Sequence, residues 1–231
     1  MAEVNGENRL TMLELYNYIT AQAWSMFDSE VESKDEFEES VTTSMQKALT
    51  DLWLSYPFSF REKTKTIRTS AGNSKYNTPI GNILTTTYNN KKVFSVWLND
   101  KPLSYVNNFA GFEEKTGIPE KFYIKQDKMY LYPTPDDSYN ISIDYLALYP
   151  ACNEDGEDKA NLEEENDYIN ISERYFDLFK HALMPLTMWN YLIAAESDEN
   201  SSAYEIQYKK AYNNLLKYSK GIDLEKQYGW R

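Results

Sequence analysis

Cysteine is almost absent: Cys152 is the single copy in 231 residues, which excludes an intrachain disulfide framework and Cys-x-x-Cys metal or redox chemistry. Histidine is equally scarce, and a lone His181 rules out multi-histidine metal sites. Long apolar runs are missing as well. The greasiest stretch, Ala182 to Ala195, is too short to span a bilayer and contains Pro185 and Asn190. The first ten residues, MAEVNGENRL, have no apolar core of the kind a signal peptide carries, so a soluble protein folded in a reducing cytoplasm is expected. Basic charge is short: 24 Lys and Arg against 36 Asp and Glu give a net charge of −12. That balance argues against a general DNA-binding surface, whose affinity comes from clustered cations, although an acidic wall past which DNA slides is a different case. Gly-x-Gly-x-x-Gly, Walker and Gly-x-Ser-x-Gly patterns do not occur. No enzyme activity, cofactor or metal is expected.

Aromatic residues are plentiful, with 20 Tyr, 10 Phe and 5 Trp. Tyrosine suits surfaces that are half wet and half packed, as interfaces are, while an AT-rich genome enriches the same codons. Leu10, Leu13, Tyr16, Ile19, Ala23, Met26 and Phe27 recur every three or four residues and predict a first amphipathic helix. A second is expected from Asp35, which has capping-box spacing with Glu38, along Phe37, Val41, Met45, Ala48 and Leu52 to a stop set by Pro57. The acidic segment between these two helices reads as a solvated turn.

From Arg61 to Val106 the pattern changes to short strands at Lys63–Thr69, Ile83–Thr87, Val93–Leu98 and Leu103–Val106, with turns at Asn89-Asn90 and Asn99-Asp100 and a polar loop over Ala71–Gly81. Gly117 to Pro150 follows. Phe122–Gln126 and Lys128–Tyr132 form a hairpin around Asp127, Pro133 and Pro135 make a corner, and Tyr139–Leu148 alternates with Ile141, Ile143, Tyr145 and Ala147 on one face. The expectation is a three-stranded antiparallel meander. Asp136-Asp137 could be read as paired carboxylates, but neighbours on a proline-flanked turn are turn chemistry.

Ala151 to Asp167 reads as an acidic connecting loop. With Gly156 placed at the glycine of a calcium loop, Ala151 and Leu162 fall at ligand positions, so that reading fails. A third helix is expected from Ser172, facing Tyr175, Leu178, Phe179, Ala182, Leu183, Leu186, Trp189 and Ile193 inward and kinked at Pro185. Single His181 lies on it as a structural residue. A fourth helix is expected from Ser202 and Glu205 to Gly221, with Tyr204, Tyr208, Ala211, Leu215 and Leu216 on one face. The remaining segment has Leu224, Tyr228, Trp230 and Arg231, the composition of a binding anchor or of a tail that packs back on its own helices.

The order of these features resembles the head-to-tail adaptor proteins of short-tailed phages, the group that includes tail tubular protein A and the tail accessory factors below the portal. Gly117 and Pro119, Pro133 and Pro135, and the run from Tyr145 to Tyr149-Pro150, set between two helix pairs, carry the likeness. The implied fold is α+β: a bundle of about four helices, two at each end of the chain, an antiparallel β insertion between them and an extended C-terminal tail. The corresponding divisions are 1–60, 61–150, 151–221 and 222–231. The implied function is a virion structural protein of the neck, assembled in the host cytoplasm, that forms a ring of about twelve copies below the portal. Its partners are then the portal ring, neighbouring copies and the next tail ring or nozzle, with DNA passing through the channel unbound and no membrane involved. The resemblance places portal contact on Leu224, Tyr228, Trp230 and Arg231. The hairpin tyrosines Tyr123, Tyr130 and Tyr132 are candidate contacts to other subunits or tail proteins. The competing expectation is an aromatic-rich carbohydrate-binding tail component.

Overall fold

The computed structural model describes residues 9–27, 33–195 and 198–228. It is mixed α+β, with four α-helices and several mostly antiparallel sheets among the described residues. The chain divides into two compact units, one formed by Met1–Arg61 with Tyr149–Arg231 and the other by Glu62–Leu148.

The first unit contains helices α1 (Met12–Phe27), α2 (Lys34–Leu54), α3 (Phe176–Ala194) and α4 (Asp198–Tyr228). Helix α1 opens with a reciprocal capping box: the Glu14 amide donates to Thr11 Oγ1 at 3.2 Å and the Thr11 amide to the Glu14 carboxylate at 3.1 Å. Its buried stripe is Leu15, Ile19 and Ala23, while Leu13, expected inside, is 44% exposed. The i, i+4 row Leu15–Ile19–Ala23 is the buried one. Helix α2 begins one turn-edge earlier than expected. Ser33, not Asp35, is the cap, its Oγ accepting from the Glu36 amide at 3.5 Å, since a residue in extended geometry is needed there and Asp35 is already helical. Phe37, Val41, Met45, Ala48 and Leu52 are all buried.

Helix α3 is one uninterrupted element through Pro185. Phe179, Ala182, Leu183 and Leu186 are buried as the spacing indicates, but Ile193 is 53% exposed, so the stripe does not extend that far. Helix α4 differs most from expectation. It starts at Asp198, ahead of Ser202, and continues through Gly221 to Tyr228. A mid-helix glycine costs only about 1 kcal/mol, and the residues after it form helix readily, so Gly221 does not terminate the element. Leu224 and Tyr228 therefore lie on a helix and not in an extended tail; Trp230 and Arg231 fall outside the described residues.

Ala151 to Asp167 is an ordered structure, not an open loop. Ala151–Cys152 pairs with Asp158–Lys159 and with Tyr168–Ile169, which in turn pairs with Leu10–Thr11. Buried Asp167 organises this corner. Its Oδ2 accepts from the Glu163 and Glu164 amides at 2.8 and 2.9 Å and from Lys159 Nζ at 2.6 Å. Its carbonyl accepts from the Met12 amide at 2.7 Å, so the acidic segment is fastened to the start of α1.

The second unit is built on two sheets and a hairpin. In one sheet the order is Glu62–Arg68, Asn140–Ala147, Val96–Leu98 and Lys101–Pro102, with Gly81–Ile83 also paired to Asn140–Ala147. In the other, Lys75–Asn77, Lys128–Tyr132, Lys121–Lys125 and Ser104–Tyr105 lie side by side. The hairpin pairs Thr85–Tyr88 with Lys91–Phe94 across Asn89 and Asn90, both left-handed as an Asn-Asn hairpin turn requires. The expected three-stranded meander does not form. Alternation places Ile141, Ile143, Tyr145 and Ala147 on a buried face, yet their partners come from Glu62–Arg68 and not from the adjacent hairpin. The Pro133–Pro135 corner moves the chain from one sheet to the other, and alternation fixes faces without fixing partners. Residues Lys75–Asn77, expected in a loop, form an edge strand against Lys128–Tyr130.

Candidate interaction surface

The hairpin Lys121–Lys125 and Lys128–Tyr132 has one face in the core and one face in contact with solvent. Phe122, Met129 and Leu131 point inward with Ile67, Val96, Ile141 and Ile143. Register then sets the outer face: Tyr123 stands opposite Tyr130 and Lys121 opposite Tyr132, with Lys75 beside Tyr130 on the next strand. Each of these positions is of the opposite parity to a buried neighbour, so the pleat alone turns the three tyrosines outward.

The structure brings the three expected tyrosines together and adds two aromatics that the sequence reading passed over. Tyr123 and Tyr130 stack with centroids 4.6 Å apart and planes 5° from parallel. Phe109 meets Tyr123 at 4.8 Å edge to face and Tyr132 at 5.3 Å, and Phe112 meets Tyr132 at 4.8 Å. Lys121 Nζ sits 4.7 Å from the Phe112 ring and Lys75 Nζ 5.6 Å from that of Tyr130. Pairs of this kind contribute about 0.5–1.5 kcal/mol each, enough to hold a half-exposed cluster in one arrangement before any partner arrives. Phe109 and Phe112 flank Gly111, whose φ of 81° bends the loop back over the sheet. The Phe-Ala-Gly-Phe spacing was the available signal, and no periodicity marked it.

The polar candidates resolve into structure. Asp136 accepts from the Tyr139 hydroxyl at 2.6 Å, a bond that pushes the Tyr139 phenol up to about 12, and Asp137 accepts from the Ser138 amide at 2.7 Å. These are two separate turn contacts and not a carboxylate pair. Cys152 is buried, and His181 lies exposed on α3. Among the described residues no group of His, Cys, Asp and Glu could hold a metal ion, and no helix is long and apolar enough to cross a membrane. The second unit presents an aromatic and lysine-bearing surface formed by Tyr123, Tyr130, Tyr132, Phe109, Phe112, Lys75 and Lys121.

The family of SU10 adaptor proteins matches residues 16–226. The chain belongs to that family. No curated protein matches it at a significant level. As an SU10 adaptor, it is a phage structural protein of the virion neck, a class without catalytic function, and membership implies contact with portal and tail components. The match runs through both units, so each is part of the adaptor and neither is an accessory to it.

Proposed function

We propose that this SU10 adaptor assembles below the portal as a ring of about twelve copies, continues the DNA channel and presents a docking surface to the next tail component. The observation that carries the reading is the family match over residues 16–226. A net charge of −12 supports it, because a wall that repels the phosphate backbone lets DNA pass without holding it. The aromatic cluster containing Tyr123, Tyr130 and Tyr132 supplies contacts to neighbouring subunits or to the ring below. In this reading the C-terminal end of α4 and the residues after it, with Leu224, Tyr228, Trp230 and Arg231, reach the portal. No observation favours the carbohydrate-binding alternative.

Co-sedimentation with purified portal particles tests the proposal. The full chain is expected to pellet with portal in several copies per particle, and a chain ending at Gly221 to stay in the supernatant while keeping its fold. A truncated chain that still pellets removes the C-terminal segment from the portal contact; a full chain that never pellets removes the adaptor reading.

A further inference from the structure

The charge of the molecule is unevenly shared. Glu62–Leu148 carries 11 Lys and Arg against 9 Asp and Glu, a net +2, whereas the remainder carries 13 against 27, a net −14. Within the cationic unit a groove of about 880 Å³ is lined by the Thr85–Phe94 hairpin and by residues 101–105. Its apolar surfaces are Phe94, Leu103 and Tyr105, with the Phe94 and Tyr105 rings 4.9 Å apart. Lys91, Lys92 and Lys101 line it and no acidic residue does. All three lysines are exposed, and none has a carboxylate within ion-pair distance among the described residues. Three unneutralised ammonium groups over an apolar floor form a socket for an apolar side chain ringed by carboxylates.

The same chain displays that shape and charge in its other unit. Leu13, 44% exposed, is held beside the acidic segment by its own amide, which donates to the Glu165 carbonyl at 3.3 Å. Glu165 and its chain neighbours Glu163 and Glu164 are exposed, Glu163 also pairing with Lys159 at 3.3 Å, and the Asp167 bonds to the Glu163 and Glu164 amides fix their backbone. An exposed leucine on the first turn of α1, tied by its amide to an exposed acidic run with an anchored backbone, is a knob with carboxylates along one side.

We propose that the Leu13–Glu165 knob of one copy docks in the Lys91–Lys92–Lys101 socket of the next, making a head-to-tail contact between copies. The inference rests on the adaptor reading for its setting, since only a heterologous contact that closes on itself yields a ring. Charge complementarity selects the pairing: knob against knob and socket against socket are both repulsive, which excludes the two-fold dimer through either surface. One knob is a small contact, so each pairing is weak by itself and gains strength by repetition around a closed assembly.

The test uses the full chain, concentrated at low ionic strength, as a mixture of light- and heavy-isotope copies treated with a lysine-to-carboxylate cross-linker. Mixed-isotope links between Lys91, Lys92 or Lys101 and Glu163, Glu164 or Glu165 are expected, and they should fade as salt rises. Reversing the socket (Lys91→Glu, Lys92→Glu, Lys101→Glu) or the knob (Glu164→Lys, Glu165→Lys) should each lower self-association in sedimentation velocity by about tenfold or more, and mixing the two reversed proteins should restore it. Leu13→Ser should weaken the contact without changing its salt dependence. A wild-type chain that gives only within-copy links, or reversed variants that associate as the wild type does, overturns the proposal. Portal co-sedimentation separates the two readings: a chain that binds portal yet shows no knob–socket link loses this contact and keeps its adaptor role.

Discussion

Replacing Asp167 with alanine should destabilise the helical unit by about 2–5 kcal/mol. The carboxylate is 2% exposed, and a single oxygen accepts two backbone amides and the Lys159 ammonium. Lys159 keeps access to water at 24% side-chain exposure and to Glu163 at 3.3 Å, so its loss is small. The two amides lose their acceptor in a half-buried position, so each costs somewhat less than the upper end of the range of about 1–3 kcal/mol for a buried unpaired donor, about 2–5 kcal/mol for the pair. At roughly 3 °C per kcal/mol for a unit of this size, the melting temperature should fall by roughly 6–15 °C in calorimetry. Hydrogen exchange at the Met12 amide should accelerate in parallel, because its acceptor is the Asp167 carbonyl. Asp167→Asn, whose amide oxygen can accept from the same donors, should cost less. The effect also has a pH signature. Burial by itself would raise the Asp167 carboxyl, but the two amides and Lys159 outweigh it and hold the group below its ordinary value near 4. A carboxyl lowered by folding adds stability that is fully present above its unfolded pKa and disappears as pH falls through the folded one. The gap between wild type and Asp167→Asn should therefore be constant above about pH 5 and shrink below about pH 4. A fall of less than about 2 °C for Asp167→Ala, or a gap that does not respond to acid, would refute the reasoning.

Two further substitutions probe the frame around the surfaces. Arg61 is 5% exposed and donates to the carbonyls of Trp53 and Tyr56 at 2.8 and 3.0 Å, closing the C-terminal end of α2, so Arg61→Met should lower stability by about 3 kcal/mol in urea unfolding. Arg61→Lys should recover less than half of that loss, because the shorter, flexible lysine loses more side-chain entropy in bringing its nitrogen to the place where Nη1 serves both carbonyls; full recovery would show that charge alone matters. A methyl group on Gly81 would lie 2.3 Å from the Leu146 carbonyl oxygen, so Gly81→Ala should push strand Gly81–Ile83 off Tyr145–Ala147 and destabilise the β unit by about 1–3 kcal/mol. An unchanged unfolding curve for Gly81→Ala would show that the strand shifts freely.

The stacked tyrosines illustrate how far local rules reach. Parity along Lys121–Lys125 and Lys128–Tyr132 is enough to place Tyr123, Tyr130 and Tyr132 outside, because neighbours Phe122, Met129 and Leu131 must be inside. Phe109 and Phe112 join them through a loop of no periodicity, which no spacing rule could assign. Helix ends show the same division. Thr11 and Glu14 make a capping box that no expectation included, Ser33 takes the cap expected of Asp35, two residues away, and Gly221 is passed over.

By itself the sequence determined the class of the protein: helices where apolar residues recur every three or four positions, strands where they alternate, hairpin turns at Asn89-Asn90 and Asn99-Asp100, and no catalytic motif. Those features depend on neighbours within a few residues, and their physics is complete in the local chain. Tertiary structure decided the partners. Asn140–Ala147 pairs with Glu62–Arg68 more than 70 positions away, Lys75–Asn77 becomes a strand only because Lys128–Tyr130 needs an edge partner, and an acidic run becomes a rigid corner only through Asp167. Pairing across such distances is set by which surfaces can be buried together, a property of the folded whole that no window of the sequence contains.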